Sequence, residues 1–554
     1  MGLEQIDLDQ IQDVEQAKRA IAMLFNLLEE MQTTVRQLQV ENQRLRDENN
    51  RLKGEKGKPT IKPDKHAGKG SNHSSEAERR KAQGWHKESK LETIRIDREQ
   101  VLTIDRAQLP TDAEFKGYED TVVQDVMIRT DNVLYHKEKY YSPSERQTYL
   151  AELPPGYCGQ FGPGIKALAL VQYYAYNMSE PKIREFFGNV GIRLSAGELS
   201  AWLIKDWPEL HAEKDAIYAA GLRSSPWQHI DDTATRVNGN NQHCHVVCNP
   251  LYTAFFTIAG KDRLTVLDVL RNLQTRTFRV NAEAIAFLHV FGLSQRVVRI
   301  VRNLPQEQDL SETEIQHLLD EKLPNLGPKQ RTRILEATGV AAYHAHLEFP
   351  AVKLLICDDA PQFNWLTEEL ALCWIHEGRH YKKLEPYVPQ HRTHLAQFLR
   401  RFWEFYNQLL TYRQQPGPDE KTRLAAEFDI LFATVTSYRA LDERIEITKL
   451  KKASLLMVLD HPEILLHNNP AELGARLRVR KRDVSFGPRT PDGAKAWDTF
   501  MTLTATAKKL GVSIYHYIHD RVSATHAMPD LADLISERAS QQPLGTSWDP
   551  TPTY

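Results

Sequence analysis

Hydrophobic residues recur in alternating steps of three and four over residues 21–52. Two interleaved sets repeat at heptad spacing, namely Ile21, Leu28, Val35, Asn42 and Asn49 at position a, and Leu24, Met31, Leu38, Leu45 and Leu52 at position d. This pattern predicts a leucine-zipper coiled coil within residues 1–53, because a and d form one apolar seam. The two asparagines at a favour a parallel, in-register dimer. A helix packed on its own domain is the alternative, which the polar outer positions disfavour.

The next two segments have different compositions. Residues 54–90 are rich in Gly, Lys, Ser and Pro, so we predict a flexible basic linker that cannot fold alone. Whether it is only a tether or also an arm that follows phosphates stays open at this point. Residues 91–155 contain runs such as TVVQDVMIR and NVLYHKEKYYS, separated by turn residues, which predict a small β module.

Helical patterns dominate residues 156–225, and a glycine-containing turn separates two of them. Ser195 and Glu198 have the spacing of a capping box at the start of the second helix. We therefore predict a helix-turn-helix DNA-binding region, for which an ordinary helical hairpin is the alternative.

The pattern changes to strands and helices from PWQHIDDTATRV onward. HCHVVC, YTAFFTIA and VKLLICDD are further strand candidates, RLTVLDVLRNL and WLTEELA are helix candidates, and CWIHEGRHY supplies a fifth strand before a late helix. This order predicts an α/β domain over residues 226–520, with a mixed five-stranded sheet and flanking helices. Helical insertions are expected at residues 272–348 and 388–460, and a C-terminal tail at residues 521–554.

Composition restricts the functions and the cellular location that the chain is expected to have. The chain has 554 residues and a net charge of −2, so any affinity for nucleic acid must come from local basic clusters. Five widely spaced cysteines form no disulfide framework, which indicates a reducing cytosol. The acidic N-terminus lacks the apolar region of a signal peptide, and no apolar stretch is long enough for a membrane span. We expect a cytoplasmic protein that does not enter a membrane.

Three acidic residues stand where the predicted sheet can bring them together. Asp231 ends the first strand, Asp358 ends the fourth, and Glu472 lies in the first turn of the late helix. Carboxylates are the ligands that Mg²⁺ and Mn²⁺ prefer, and two such ions support in-line displacement at a phosphate. Taken singly, each acid could instead be a turn or capping residue. Asp232 is a candidate supporting residue, and Asp359 is a weaker rival to Asp358.

Basic residues cluster after Glu472 and are expected to contact DNA phosphates, with a solvated charged face as the alternative. The predicted DNA-binding residues are Arg263, Arg379, Arg476, Arg478, Arg480, Lys481 and Arg482. His376 is a candidate for phosphate contact or for support of the second acid, and a buried, satisfied histidine is equally compatible with the pattern.

Four segments, HIDDTATRVNG, LLICDDA, CWIHEGRHY and HNNPAELGARLRVRKRDVSFG, together resemble the signature blocks of insertion sequence 66 family transposases. The resemblance covers residues 156–520 and implies a helix-turn-helix before a ribonuclease-H-like core of the DDE type. It implies that the catalytic and metal-binding triad is Asp231, Asp358 and Glu472.

The family's Cys-Trp-x-His-x-x-Arg block falls on Cys373, Trp374, His376 and Arg379. One departure is the absence of the cysteine-rich zinc finger that the family commonly carries, since residues 56–155 contain no cysteine. The run HCHVVC is not expected to bind zinc either, because its histidines and cysteines face opposite sides of a strand. We therefore expect no zinc.

The resemblance implies a DNA transposase that uses Mg²⁺ or Mn²⁺ to cut transposon ends and to join the freed 3′ hydroxyl to target DNA. Expected partners are the terminal inverted repeats, target DNA, a second copy joined through the coiled coil, and accessory proteins of the same element. On this interpretation the protein acts in the bacterial cytoplasm, associated with the nucleoid when bound to DNA. A ribonuclease-H-like nuclease and a domesticated, non-catalytic DNA-binding protein are the alternatives.

Overall fold

The computed structural model describes residues 13–53, 94–105, 108–157, 159–205, 207–346 and 351–548. The predicted linker over residues 54–90 lies outside these ranges. The strands of the described residues are β1 Lys139–Ser142, β2 Gln147–Leu150, β3 Trp227–Val237, β4 Asn240–Cys248, β5 Thr253–Ile258, β6 Phe278–Arg279, β7 Asp309–Leu310, β8 Leu354–Cys357 and β9 Glu369–Leu372. The helices of the first half are α1 Val14–Leu52, α2 Pro163–Tyr174, α3 Glu180–Asn189, α4 Ala196–Ile204, α5 Pro208–Arg223, α6 Arg263–Leu270, α7 Ala282–Val290, α8 Gln295–Arg302, α9 Glu312–Lys322 and α10 Pro328–Ala345. Those of the second half are α11 Trp374–Lys382, α12 Pro389–Gln414, α13 Pro418–Leu431, α14 Arg439–Lys449, α15 Lys452–Leu455, α16 Asn469–Ser485, α17 Pro491–Lys509, α18 Ile514–Val522 and α19 Leu531–Gln541.

A five-stranded sheet lies at the centre of the fold, with its strands in the order β5-β4-β3-β8-β9. β3, β4 and β5 are antiparallel to one another in turn, whereas β8 runs parallel to β3 and β9 runs parallel to β8. Asn238 and Gly239 have φ angles of 50° and 78°, which suit the tight turn between β3 and β4. The predicted mixed five-stranded sheet with flanking helices is confirmed.

The fifth strand does not lie where the pattern predicts it. β9 is formed by Glu369–Leu372, within the predicted helix WLTEELA, and α11 covers most of the predicted strand CWIHEGRHY. Both predictions are wrong. The N–H of Cys373 still donates to the carbonyl of Cys357 at 3.0 Å, but the N–H of Trp374 turns away to Leu466 at 2.9 Å. A short apolar run of this kind is compatible with a buried strand and with a buried helix alike.

Helices α16 and α17 pack on the antiparallel side of the sheet. α16 lies over β3 and β4, and a Cβ added to Gly474 would lie 2.6 Å from Cγ1 of Val246. α17 lies along β5, where the hydroxyl of Thr502 accepts the backbone N–H of Phe255 at 3.1 Å. Because β5 is an edge strand, this contact satisfies a donor that has no neighbouring strand.

The predicted β module over residues 91–155 is formed only in part. Among the described residues of this range, the strands are β1 and β2, which make an antiparallel hairpin. The run TVVQDVMIR forms no strand, and apolar side chains such as Val123 and Met127 are exposed. Alternating β-branched residues favour a strand only where a half-buried surface exists to pack against.

α3 and α4 are joined by a short turn, as the pattern predicts. The hydroxyl of Ser195 accepts the N–H of Glu198 at 3.1 Å. The Glu198 carboxylate does not complete a capping box, because it accepts the indole N–H of Trp202 at 2.9 Å. The role of these two helices in DNA binding stays a prediction.

Both predicted helical insertions contain helices. Residues 272–348 include α7 to α10 and the short pair β6–β7, and residues 388–460 include α12 to α15. The predicted C-terminal tail is also folded over much of its length, since α19 packs on α5 and buries Leu531 and Ile535. None of the described helices combines the length and the apolar character that crossing a membrane requires.

The close approach of α16 to the sheet can be tested by adding one methyl group. Gly474→Ala should lower the free energy of unfolding by about 1–3 kcal/mol, because the new Cβ overlaps Val246. Urea denaturation measures this change. Gly188→Ala is the control, since a Cβ there meets no described atom within 4 Å and should change stability by less than about 1 kcal/mol. An equal effect of the two substitutions would contradict the packing described for α16.

Candidate active site

Asp231 lies in β3, and Asp358 follows directly after the last residue of the neighbouring parallel strand, β8. The register of β3 and β8 pairs His229 with Ile356, so the two acids stand at the same level two residues further on. Side chains at one level of adjacent strands point to the same face of the sheet. The two predicted carboxylates from the sheet therefore share one face.

Glu472 reaches the same face from α16. Asp231 is paired across the sheet with Val246 of β4, and the side chain of Val246 faces α16 beneath Gly474. Glu472 lies in the first turn of that helix, where its N–H donates to the carbonyl of Asn468 at 3.1 Å. The structure thus brings the three predicted acids to one region above β3 and β8.

The electrostatics of the two aspartates agree with this geometry. Burial, together with the nearby charges of Asp358 and Glu472, raises the pKa of Asp231 to about 7. Burial also raises the pKa of Asp358, although its carboxylate accepts the N–H of Ala360 at 3.2 Å. Carboxylates that disfavour one another's charge are stabilised by a divalent cation between them.

The donor set fits a hard divalent cation. Oε1 of Glu472 is buried and accepts no hydrogen bond from the described residues, and it lies 3.4 Å from Nδ1 of His376. Asp231, Asp358 and Glu472 supply oxygen ligands only, which suits Mg²⁺ or Mn²⁺. These three residues are the ones that would hold the ions.

α11 supports Glu472 through His376 and Arg379. The guanidinium of Arg379 lies 3.3 Å from Oε2 of Glu472 and 3.0 Å from Nε2 of His376. Burial lowers the pKa of His376, so its ring is neutral at pH 7. Because Arg379 can only donate, Nε2 of the histidine accepts, and its proton lies on Nδ1 facing Glu472. His376 therefore lies against the third acid, and it also interacts electrostatically with the second, Asp358.

Asn468 connects the strand of Asp231 to the helix of Glu472, and it is absent from the residues predicted for the site. Its side-chain amide donates to the carbonyl of Ile230 at 2.7 Å, and its side-chain oxygen lies 3.0 Å from Nδ1 of His229. Burial lowers the pKa of His229 to about 3, so this buried ring is neutral and donates from Nδ1. The only sequence signal for Asn468 is its place in the block HNNPAELG.

The capping-box interpretation of Glu472 is wrong. α16 begins at Asn469 itself, so Asn469 is not the N-cap, and Asn468 in that position makes no side-chain cap. The side chain of Asn468 is already bonded to the sheet, which explains why it does not cap the helix. Glu472 is thereby left available to the shared face.

Cys373 packs beside the acids as a neutral thiol. It offers one sulfur within 4.8 Å of ligand atoms of His376 and Glu472. Burial raises the pKa of Cys373 to about 11, and its sulfur accepts the N–H of Asn468 at 3.3 Å. Since metal binding requires the thiolate, this cysteine is better suited to fixing the start of α16.

The neighbouring acids, Asp232 and Asp359, contact other side chains. Asp232 follows Asp231 in β3 and therefore faces the other side of the sheet. There it accepts from the side-chain amide of Gln362 at 3.3 Å and lies 3.7 Å from Nδ1 of His243. Asp359 forms an ion pair with Lys451. Both acids have partners away from the shared face, but the charge of Asp232 still raises the pKa of Asp231 and of Asp358, and the charge of Asp359 raises the pKa of Asp358.

Burial excludes three of the predicted DNA-binding residues from phosphate contact. Arg263, Arg478 and Lys481 are only 8%, 1% and 0% exposed, so the prediction is wrong for them. Arg478 lies 3.3 Å from the Asp498 carboxylate. The Lys481 ammonium lies 3.0 Å from the ring centre of Tyr173, and burial lowers its pKa to about 6. Arg263 is held by the carboxylate of Glu336 and by backbone carbonyls.

The other predicted DNA-binding residues stay at the surface. Arg482 is partly exposed and donates to the carbonyl of Ala234 at the end of β3. The exposed members are Arg379, Arg476 and Arg480. Of these, Arg379 contacts the carboxylate of Glu472 directly.

Comparison with known protein families identifies the class to which this chain belongs, and one relative is similar to it over more than half of its length. Residues 158–276 match the family model described as "Transposase IS66 family"; this range includes Asp231 and ends before Asp358 and Glu472. The uncharacterized protein y4jO of Sinorhizobium fredii (strain NBRC 101917 / NGR234) is 30% identical over 321 residues, which are 58% of this chain and 99% of that protein. The chain belongs to the IS66 transposase family.

The raised pKa of Asp231 predicts a stability cost that the metal-free protein carries at neutral and higher pH. Its pKa in the folded protein, about 7, exceeds the ordinary value of 3.8, so folding is disfavoured increasingly as pH rises between these values. Asp231→Asn should therefore raise the free energy of unfolding by about 1–3 kcal/mol at pH 8 in chelator, and by less at pH 5. Urea denaturation at the two pH values measures the difference.

Divalent metal should make the wild type more stable than Asp231→Asn, which is the reverse of the order expected in chelator. At pH 8, Mn²⁺ should stabilise the wild type and have little effect on Asp231→Asn. Asp483→Asn is the control, because Asp483 is an exposed acid near the opposite end of α16 from Glu472, and it should respond to Mn²⁺ as the wild type does. Equal stabilisation of wild type and Asp231→Asn by Mn²⁺ would remove Asp231 from the metal site.

Proposed function

We propose that the protein is a DDE-type DNA transposase with a ribonuclease-H-like core, which cuts DNA at transposon ends and joins the cut strand to target DNA. The observation that carries the proposal is the meeting of Asp231, Asp358 and Glu472 on one face of the sheet, with mutual effects on charge. Family membership supplies DNA as the class of substrate. Three antiparallel strands followed by two parallel ones, with a late helix carrying the third acid, support the ribonuclease-H-like assignment.

Each residue of the site has a defined task in this proposal. When bound, two divalent ions supply charge stabilisation to the attacking and departing oxygens of an in-line displacement. Asp231 and Asp358 offer ligands from the sheet, and Glu472 offers one from α16. The guanidinium of Arg379 orients the Glu472 carboxylate, and the ring of His376 lies beside it. Water and then the freed 3′ hydroxyl serve as nucleophiles, so no covalent bond forms between protein and DNA.

The surfaces near the site supply the contacts with DNA. Arg476 and Arg480 are exposed on α16, the helix that carries Glu472, and can neutralise phosphates there. The α3–α4 pair is the proposed reader of the terminal inverted repeats. A dimer formed through α1 would bring two transposon ends together, and accessory proteins of the same element are further proposed partners.

The first test is cleavage and strand transfer on transposon-end DNA in Mg²⁺. Alanine at Asp231, Asp358 or Glu472 should lower the cleavage rate on the order of 10³-fold, because several kcal/mol of transition-state stabilisation are lost. Asp359→Ala is the control and should retain cleavage, because Asp359 pairs with Lys451. Unchanged cleavage by Asp231→Ala would refute the site. Cleavage without strand transfer would indicate a nuclease, and binding without either reaction a DNA-binding protein that is not an enzyme.

The second test asks whether the exposed Arg476 contacts a DNA phosphate. Arg476→Ala should weaken binding to end DNA and reduce the slope of log affinity against log salt by about one. Arg400→Ala, a change of another exposed arginine, on α12, should leave both quantities unchanged. Titrations at several salt concentrations measure them. The same salt slope in the wild type and in Arg476→Ala would exclude a phosphate contact at this position.

A further inference from the structure

α1 carries two different faces on one helix. We define the heptad stripe as its a and d positions, where Asn42 and Asn49 accompany apolar side chains that are between 38% and 79% exposed: Ile21, Leu24, Leu28, Met31, Val35, Leu38, Leu45 and Leu52. We define the docking face as the side chains that contact other elements of the same chain: Phe25, Asn26, Glu29, Glu30 and Arg36. At 3.6 residues per turn, the b positions of Glu29 and Arg36 lie roughly 130° around the helix from the centre of the stripe. The two faces can therefore be occupied at the same time.

Glu29 fixes the docking face to the start of α12. Its buried carboxylate accepts the backbone N–H groups of Tyr387 and Val388 at 2.9 and 2.7 Å, and lies 3.2 Å from Nδ1 of His391. N–H groups at a helix start have no acceptor within their own helix, and they favour a negative charge. Although burial opposes its charge, these contacts keep the pKa of Glu29 below its ordinary value. Glu29 acts as a cap that α12 receives from another helix.

Asn26 binds backbone groups at the start of α14, as Glu29 does at the start of α12. Its side-chain amide donates to the carbonyl of Ser437 at 2.9 Å, and its side-chain oxygen accepts the N–H of Arg439 at 3.0 Å. The Arg439 side chain pairs with Glu30, one turn along the docking face. These directional contacts fix both the position of α1 along the insertion and its rotation about its own axis.

The insertion over residues 388–460, which α1 contacts, also holds α11, the helix that lies beside the three acids. Glu377 of α11 is buried, accepts the hydroxyl of Thr448 at 2.5 Å and pairs with Arg444, both from α14. The preceding residue, His376, faces Glu472. A continuous series of packed helices, α1 to α14 to α11, therefore connects the heptad stripe with the proposed active site.

We propose that a second copy of this chain docks in parallel on the heptad stripe while the docking face stays bound to the insertion of its own chain. The stripe fits an identical helix, because it keeps heptad spacing over its length and carries Asn42 and Asn49 at position a. Since the opposite face is fixed, the two catalytic domains flank one zipper at a set distance and orientation. This inference refines the dimer in the proposed function, but its test does not require activity.

A charged substitution in the heptad stripe tests whether a second copy of the chain binds there. Leu38→Glu lies beyond the docked residues at a d position, and its side chain is 63% exposed. In light scattering of the full chain it should raise the dimer dissociation constant at least about 100-fold, because the charge would be buried in the seam. Val40→Glu is the matched control: it makes the same change at position f, 71% exposed, and should stay dimeric. A monomeric wild type, or equal dimerisation of Leu38→Glu and wild type, would overturn the proposal.

Hydrogen exchange at Tyr387 and Val388 tests the docking. In the monomeric Leu38→Glu protein these amides should exchange within about twofold of the wild-type rate, since their acceptor, Glu29, belongs to the same chain. Loss of protection on monomerisation would mean that α1 docks on the partner's insertion, and would overturn this arrangement.

A double variant separates docking from dimerisation. Asn26→Ala with Glu29→Gln should speed exchange at the two amides about tenfold or more while the dimer mass is kept. Gln43→Ala with Asp47→Asn is the control, because it changes the same b and f positions beyond the docked residues and should leave exchange unaltered. Unaltered exchange in the first variant would refute the docking. A dimer with the expected protection that fails to cut DNA would refute the proposed function and leave this inference standing.

Discussion

The gathering of three carboxylates at one partly buried place on the sheet is the constraint on which the rest of this structure depends. Burial is the larger cause that raises the pKa of Asp231 to about 7, and the neighbouring charges of Asp358 and Glu472 add to it. A chain under no other constraint would separate such groups or replace one of them. Their persistence means that the surrounding structure must supply compensating contacts, and these contacts define much of the architecture around β3 and β8.

Those contacts are polar and directional. Asn468 ties the start of α16 to β3, His376 and Arg379 face the two oxygens of Glu472, and Glu377 holds their helix to the insertion. The second helical insertion is thus part of the support for the site, and it also receives α1. The helical insertion over residues 388–460, which interrupts the sheet domain in sequence, therefore helps to hold the like-charged carboxylates together.

The sequence predicted the central sheet and the three acids because strand ends, turn residues and acids follow one another in a distinctive order. The predictions made from the sequence were wrong where tertiary contacts decide whether a side chain is buried. Arg478 and Lys481 share the inward face of α16 with Ala471, Gly474 and Ala475, yet their charge suggested an exposed surface. The short run at β9 had no periodicity to separate strand from helix. Asn468 carries no recognisable motif, because its importance lies in two partners far away in the sequence.

The sheet contacts of Asn468 have a consequence for synthesis of the chain. The strand that carries Asp231 leaves the ribosome long before α16, and the two elements come together only after both insertions have been made. A growing chain therefore displays α1 and the α3–α4 pair while its third acid is still missing. Any product that stops before Asn468 retains α1 and lacks the helix that completes the carboxylate set. It also lacks α17, α18 and α19, which pack on α2, α4 and α5. Such a fragment would keep the predicted zipper while losing both the third acid and the packing of the helical region before the sheet.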